Sequence, residues 1–228
     1  MWCALALSVI VVAYNNVVNR WKTFQGVVYV PLNLTFAAAI AFTAPVDLSA
    51  PEFGVQGDLL DLAMSVAATA CFALGAFALA GSRHAHRIAD KRVEDMRGSA
   101  LIYYVLVRIP LGTAVPEELV FRGVLFASWR AAGMSTVGAA LCASVAFGLW
   151  HISPTVIGVR MNDPAASHSK ISIAVAGAVL LTTIAGLALS WWRIESSSLL
   201  GPIIVHGGVN SFGALAAVKA FGRSRKDG

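Results

Sequence analysis

The chain has 228 residues, 57% hydrophobic and 13% charged, with a mean hydropathy of +0.73. Soluble globular domains carry about 25% charged and about 45–50% apolar residues, so this composition excludes a soluble domain with a large core and indicates a polytopic membrane protein. The net charge of +5 does not indicate a nucleic-acid partner, because the basic residues cluster between apolar runs and form no continuous face.

The start, "MWCALALSVIVVAYNNVVNRW", is apolar from its second residue and has neither a basic n-region nor a small-x-small cleavage site. It is expected to be a first membrane span and not a removable signal peptide, which leaves open a natural start upstream. A span needs about 20 mostly apolar residues to cross roughly 30 Å of hydrocarbon. In chain order the candidates are 2–18, 27–46, 59–80, 99–129, 136–152, 171–192 and 197–219, joined by short connections. The fourth is too long for one simple crossing: its 31 residues would reach about 46 Å as an α-helix. It also contains Pro110, Gly112 and Pro116, which predict a break or a second short helix. The expected fold is therefore an all-α polytopic membrane helix bundle of seven to eight spans. Cys3, Cys71 and Cys142 sit in separate apolar runs without CxxC spacing and read as small buried hydrophobes.

The basic residues set an orientation. Arg20 and Lys22, then Arg83, Arg87, Lys91, Arg92 and Arg97, then Arg160 and Lys170, then Lys219, Arg223, Arg225 and Lys226 fall on one side if there are seven spans. Arg130 and Arg193 fall on the other side, with the acidic second loop "DLSAPEFGVQGD". That asymmetry places the basic loops and the C-terminus in the cytoplasm. Arg108, one turn before the proline-rich stretch, is expected to snorkel to the cytoplasmic interface, and Trp191 and Trp192 to belong to an interfacial belt.

Chemistry concentrates in three polar islands. In "TAVPEELVFRGVLF", Glu117, Glu118 and Arg122 lie inside an apolar segment, where each ionisable group costs about 2.5–3.5 kcal/mol by insertion-based scales. On a helix Glu118 and Arg122 are i and i+4 and can pair on one face, while Glu117 points about 100° away without a local partner. The stretch alone is equally consistent with a structural ion pair packed against another helix and with a carboxylate kept for acid–base work. "AFGLWHISP" places Phe147 one turn before His151, and "GPIIVHGGVNSFGAL" places His206 and Asn210 at i and i+4. Gly207 and Gly208 beside His206 let another helix backbone approach closely. Two imidazoles, an amide and a Glu-Glu-Arg set on three spans suffice to activate water and stabilise an oxyanion. His84, His86 and His168 lie in polar loops and read as solvated.

Taken in order, "EELVFR", "FGLWH" and "HGGVN" fit EExxxR, FxxxH and HxxxN. This resembles the CPBP family of intramembrane proteases, which includes the CAAX prenyl endopeptidases and bacteriocin-processing or immunity-type proteins. The similarity covers about residues 99–215 and includes the lead "SSLLGPIIVHGGVN". It implies a catalytic core over 99–219, with motif-free spans over 1–98 and a basic cytoplasmic tail over 220–228. It further implies a bundle enclosing a wet polar cavity, in which Glu117 activates water with help from His151. His206 and Asn210 would stabilise the oxyanion, with Glu118, Arg122 and Phe147 in support. A zinc ion held by Glu117, His151 and His206 would have an open position. No HExxH is present, so such ligands would converge from separate helices, and the adopted reading is a glutamate mechanism that is either metal-independent or leaves a zinc ion open without requiring it.

The expected activity is that of an intramembrane endopeptidase acting on a peptide or membrane-protein substrate, in a prokaryotic plasma membrane. Two other readings are weighed. A non-catalytic immunity or scaffold protein would keep the same residues as a relic. An ion-coupled transporter would also place carboxylates and histidines in the membrane, but it predicts paired discontinuous helices in two halves, and the sequence has one obvious break and no internal symmetry.

Overall fold

The computed structural model describes residues 1–21, 26–47, 53–54 and 57–224, and their regular structure is helical. We number the helices α1 (Trp2–Val18), α2 (Tyr29–Thr43), α3 (Leu59–Ala80), α4 (Gly98–Ala131), α5 (Thr136–Trp150), α6 (Ile152–Asn162), α7 (His168–Ser196) and α8 (Leu200–Ser224). Local signals start three of them. Asp58 accepts the Asp61 N–H at 2.8 Å, Ser135 the Gly138 N–H at 3.1 Å and Ser167 the Lys170 N–H at 3.3 Å, each satisfying an otherwise orphaned donor in the first turn. Much of the second loop and residues 225–228 of the basic tail lie outside the described residues, and α8 continues into the segment read as tail.

Among the described residues, five helical segments are long and apolar enough to cross a membrane: Leu59–Ala80, Gly98–Ala131, Thr136–Asn162, His168–Ser196 and Leu200–Gly222. The helices α1 and α2, with 17 and 15 residues, are shorter; at 1.5 Å per residue they reach only about 22–26 Å. The chain is an integral membrane protein, and five spans are supported where seven to eight were expected. Residues 152–162, expected to be connection, continue the fifth span as α6 after a turn at His151.

Side-chain placement follows membrane logic, with small and polar groups inward. On α3 the buried residues are Asp61, Ser65, Thr69, Ala73 and Ala80, nearly all four apart, while Leu59, Leu60, Leu62 and Leu74 are exposed. Lipid is as apolar as leucine, so helix contact is decided by close approach and interhelical hydrogen bonds. For the same reason Cys3 and Cys71 are exposed and Cys142 is half-buried; the expectation that all three are buried fails because an apolar group loses nothing by facing lipid.

The expected break in α4 is absent. Its prolines are absorbed by π-helical stretches at Tyr104–Arg108, Pro110–Ala114 and Leu119–Leu125. Such wider turns relieve the clash between a proline ring and the preceding carbonyl. The carbonyls they release are taken by neighbouring helices. Ile109 N–H reaches back to the Tyr104 carbonyl, and Ser211 Oγ of α8 donates to the Val105 carbonyl at 2.8 Å. Pro116 has no N–H for the Gly112 carbonyl, and Asn33 Nδ2 of α2 donates to it at 2.9 Å. A Cβ on Gly112 would lie 2.9 Å from the Tyr29 ring, so glycine is what lets α2 and α4 come this close. The same crossing holds Arg108, whose guanidinium carbon sits 3.8 Å from the Tyr29 ring centroid.

The main apolar cluster joins Val11 of α1, Ile40 of α2, Phe121 and Leu125 of α4, and Phe147 and Trp150 of α5. It wraps one side of the charged residues of α4. On the other side α8 packs along α3 and against α4, and Gly207 faces Ala114, where an added Cβ would be 3.4 Å from the alanine methyl.

Candidate active site

Three elements deliver the polar islands to one place. The α-helical turn Val115–Glu118 lies between two π-helical stretches of α4 and carries both glutamates, which are buried with Arg122. Arg122 Nη1 donates to Glu118 Oε1 at 3.0 Å, as the i, i+4 spacing predicts. His206 of α8 places Nδ1 2.7 Å from the same Glu118 oxygen. A carboxylate accepts, so Nδ1 carries the proton and the ring presents its other nitrogen, Nε2, to Glu117. That nitrogen lies 3.9 Å from Glu117 Oε2, too long for a direct hydrogen bond. Glu117 Oε1 accepts from the Trp150 indole at 3.1 Å. Oε2 of both glutamates, with Nε and Nη2 of Arg122, has no hydrogen-bond partner among the described residues.

The ring of Phe147 organises the other side. Arg122 Cζ lies 4.1 Å from its centroid, which places the cation against the π face. Both histidines meet the same ring edge-on, His151 at 4.7 Å and His206 at 5.8 Å between centroids. His151 Nδ1 is 2.7 Å from the Phe147 carbonyl; the carbonyl can only accept, so Nε2 of the neutral ring is an acceptor. The structure thus brings Glu117, Glu118, Arg122, Phe147 and His206 together, and His151 meets this set at the Phe147 ring. Asn210 is half-buried one turn beyond His206 and is not hydrogen-bonded to this set.

An open cleft of about 410 Å³ reaches His151 and runs past Thr155 and Gly158 to Arg92 and Asn162, and neither Glu117 nor His206 lines it. Nor do Glu117, His151 and His206 converge as metal ligands: among the described residues no group of three His, Cys, Asp or Glu side chains could hold a metal ion.

Several contributors had no motif to announce them. Trp150, between Phe147 and His151 in sequence, anchors Glu117. Asn15 and Asn16 of α1 donate to the carbonyls of Trp150 and Leu149 at 2.8 and 3.0 Å, and Asn16 Oδ1 accepts the Ser153 N–H at 2.7 Å. They satisfy the backbone groups freed where the helix turns at His151. The paired asparagines in an otherwise apolar run were the available signal. At another point of the bundle Trp192, expected in an interfacial belt, donates to buried Asp61 at 2.7 Å. Arg193, expected in a loop, is buried with its guanidinium carbon 4.6 Å from the Phe126 ring centroid.

No curated protein and no solved structure matches the chain. Residues 99–212, the half that carries all three polar islands, match the family described as Type II CAAX prenyl endopeptidase Rce1-like. With the paired glutamates, the arginine one turn on and the histidine of the last helix assembled as one buried cluster, the chain belongs to the Rce1-like family of type II CAAX prenyl endopeptidases.

Proposed function

We propose that this protein is an intramembrane endopeptidase of the CAAX type, in which Glu117 activates the water that hydrolyses a peptide bond. The observation that carries the reading is the pairing of the two glutamates around one imidazole. Glu118 pins Nδ1 of His206 at 2.7 Å, while Glu117 keeps Oε2 without a partner on the Nε2 side, 3.9 Å away. A water held between that oxygen and that nitrogen would be both oriented and within reach of a base.

In the proposed reaction the water oxygen bonds to the substrate carbonyl carbon as its proton passes to Glu117 Oε2. The carbon–nitrogen bond then breaks, and Glu117 returns the proton to the departing nitrogen. His206, held as the imidazolium between the two glutamates so that Nε2–H can donate, and Asn210, on the same face of α8, stabilise the negative charge on the carbonyl oxygen, a role whose loss costs about 10²–10³ in kcat per donor. His151 offers Nε2 from the cleft side. Glu118 and Arg122 position His206, Phe147 spaces the two imidazoles, and Trp150 orients Glu117. No step needs a metal. We further propose that residues 99–219 form the catalytic core, that α1 and α2 brace it through Asn15, Asn16 and Asn33, and that the basic loops face the cytoplasm.

The test is cleavage of a CAAX-terminated peptide by purified protein in lipid nanodiscs. Glu117→Gln and His206→Ala are expected to lower kcat at least about 100-fold with unchanged folding in the first case. Full cleavage by both variants would refute the mechanism. Full cellular function of variants that cannot cleave would favour a non-catalytic partner instead.

A further inference from the structure

Two residues of α2, four apart and so on one face, grip two consecutive residues of α4. Asn33 Nδ2 donates to the Gly112 carbonyl at 2.9 Å, and the Tyr29 hydroxyl lies 3.0 Å from Thr113 Oγ1. The grip is itself held. Tyr14 of α1 donates to Asn33 Oδ1 at 3.2 Å, which turns the amide NH2 towards Gly112. Tyr14 in turn stacks on Phe36 of α2 with ring centroids 3.6 Å apart. The gripped residues belong to the π-helical stretch Pro110–Ala114, which closes with Val115 N–H reaching back five residues to the Pro110 carbonyl. A turn of this kind takes up one residue more than an α-turn. Each residue advances an α-helix by about 100°, so everything beyond Ala114 is set back by about that angle against an uninterrupted helix. Adjacent residues differ by the same angle. Without the extra residue, Pro116 would therefore stand where Glu117 stands, and Glu117 where Glu118 stands.

We infer that Tyr29 and Asn33 are positioning residues for Glu117: by holding the wide turn at Gly112 and Thr113 they set the register that aims this carboxylate, and not Pro116, at the Trp150 indole and His206 Nε2. The polar groups of the turn show why two contacts serve it. Pro116 offers no N–H, so the Gly112 carbonyl needs a donor from elsewhere in the protein, and Asn33 supplies it. A threonine hydroxyl inside a helix otherwise turns back to a carbonyl of its own preceding turn; Tyr29 engages that of Thr113 from outside. The tyrosine ring also fills the space over Gly112, where an added Cβ would lie 2.9 Å from it, so the two residues fit as a pair. Tyr29 and Asn33 act through α4, and their effect is on the direction of Glu117 and not on its chemistry. The consequence for catalysis rests on the endopeptidase reading, whereas the register itself does not.

The experiment reads the hydrogen bond between Trp150 and Glu117 directly. Full-length protein carrying nitrogen-15 in the indole rings of its six tryptophans gives one N–H resonance per ring in micelles. That of Trp150 is the one lost in Trp150→Phe, and Glu117→Ala marks its position without the acceptor. Tyr29→Phe, which keeps the ring, should move the Trp150 resonance towards the Glu117→Ala position. It should also lower kcat about 10-fold, the factor for one neutral hydrogen bond, with KM changed less than about twofold. Thr113→Val and Asn33→Leu should act in the same direction, Tyr29→Phe with Thr113→Val should do no more than either alone, and Thr113→Ser should keep both readouts. Thr43→Val, on α2 but bonded within its own helix to the Ala39 carbonyl, should change neither. An unmoved Trp150 resonance in Tyr29→Phe or in folded Asn33→Leu, or effects of Tyr29→Phe and Thr113→Val that add in full, overturns the assignment. So does a fall in kcat or a shift of the resonance that comes without the other in a protein that cleaves. A shifted resonance in a protein that cleaves no peptide would instead overturn the endopeptidase reading and leave the register assignment standing.

Discussion

Glu118→Gln isolates the electrostatics of the buried cluster, because it removes a charge while keeping shape. In the folded protein Glu118 and Arg122 are essentially inaccessible, and their charged atoms are 3.0 Å apart. At an effective dielectric near 20, unit charges at 3.0 Å attract by about 5–6 kcal/mol. Glutamine keeps an oxygen for Arg122 and His206, so part of the hydrogen bonding survives, but the guanidinium becomes an uncompensated buried charge. Breaking such a pair from one side costs about 3–5 kcal/mol, a large fraction of a typical 5–15 kcal/mol of total stability. Replacing both partners, Glu118→Gln with Arg122→Met, should recover most of the loss, since a neutral pair of similar volume carries no unpaired charge. The assay is unfolding in mixed micelles by circular dichroism, run as a double-mutant cycle. If Glu118→Gln loses less than about 1 kcal/mol, or the double variant is no more stable than the single one, the cluster is not held by this charge pair and the positioning role given to Glu118 fails.

Four further outcomes follow from the same packing. Trp150→Phe removes the donor to Glu117 Oε1 and should cost about 1–3 kcal/mol for the stranded acceptor, with a fall in kcat larger than any rise in KM under steady-state cleavage. Gly148→Ala should destabilise by about 1–3 kcal/mol or more, since its Cβ would meet the Thr183 side chain and lie 2.7 Å from the immobile Val179 carbonyl; melting temperature reports it. Asp90, outside the spans, is held below its ordinary 3.8: burial pushes it up, but the hydrogen bond and charge of Arg92 outweigh burial. Its stabilising contribution is therefore complete above that ordinary value and lost as pH falls through the lower folded one; Asp90→Asn should flatten that part of a melting-temperature profile between about pH 5 and 2. Dialysis against a chelator should leave cleavage within about twofold, since catalysis as derived draws on acid–base and hydrogen-bonding groups alone; loss of activity restored by added zinc would reassign Glu117 and the histidines as ligands.

The helical class, the approximate extent of each apolar segment and the Glu118–Arg122 pair were legible in the sequence, because hydropathy over a span and i, i+4 spacing are local properties. The order of the three polar islands also carried the family, since each motif lies within a few residues of chain. Whether those islands meet was not legible. It depends on small residues such as Gly207 and Ala114 letting α8 approach α4, and on π-helical turns that keep α4 continuous through Pro110 and Pro116. Nor could the sequence assign Asn33, Trp150 or Trp192, whose partners lie at least 33 positions away. Chain order fixes neighbours along a helix, where geometry repeats every 3.6 residues. Only packing decides which helix supplies the missing donor to a freed carbonyl or a buried carboxylate, because in a membrane that donor must come from protein.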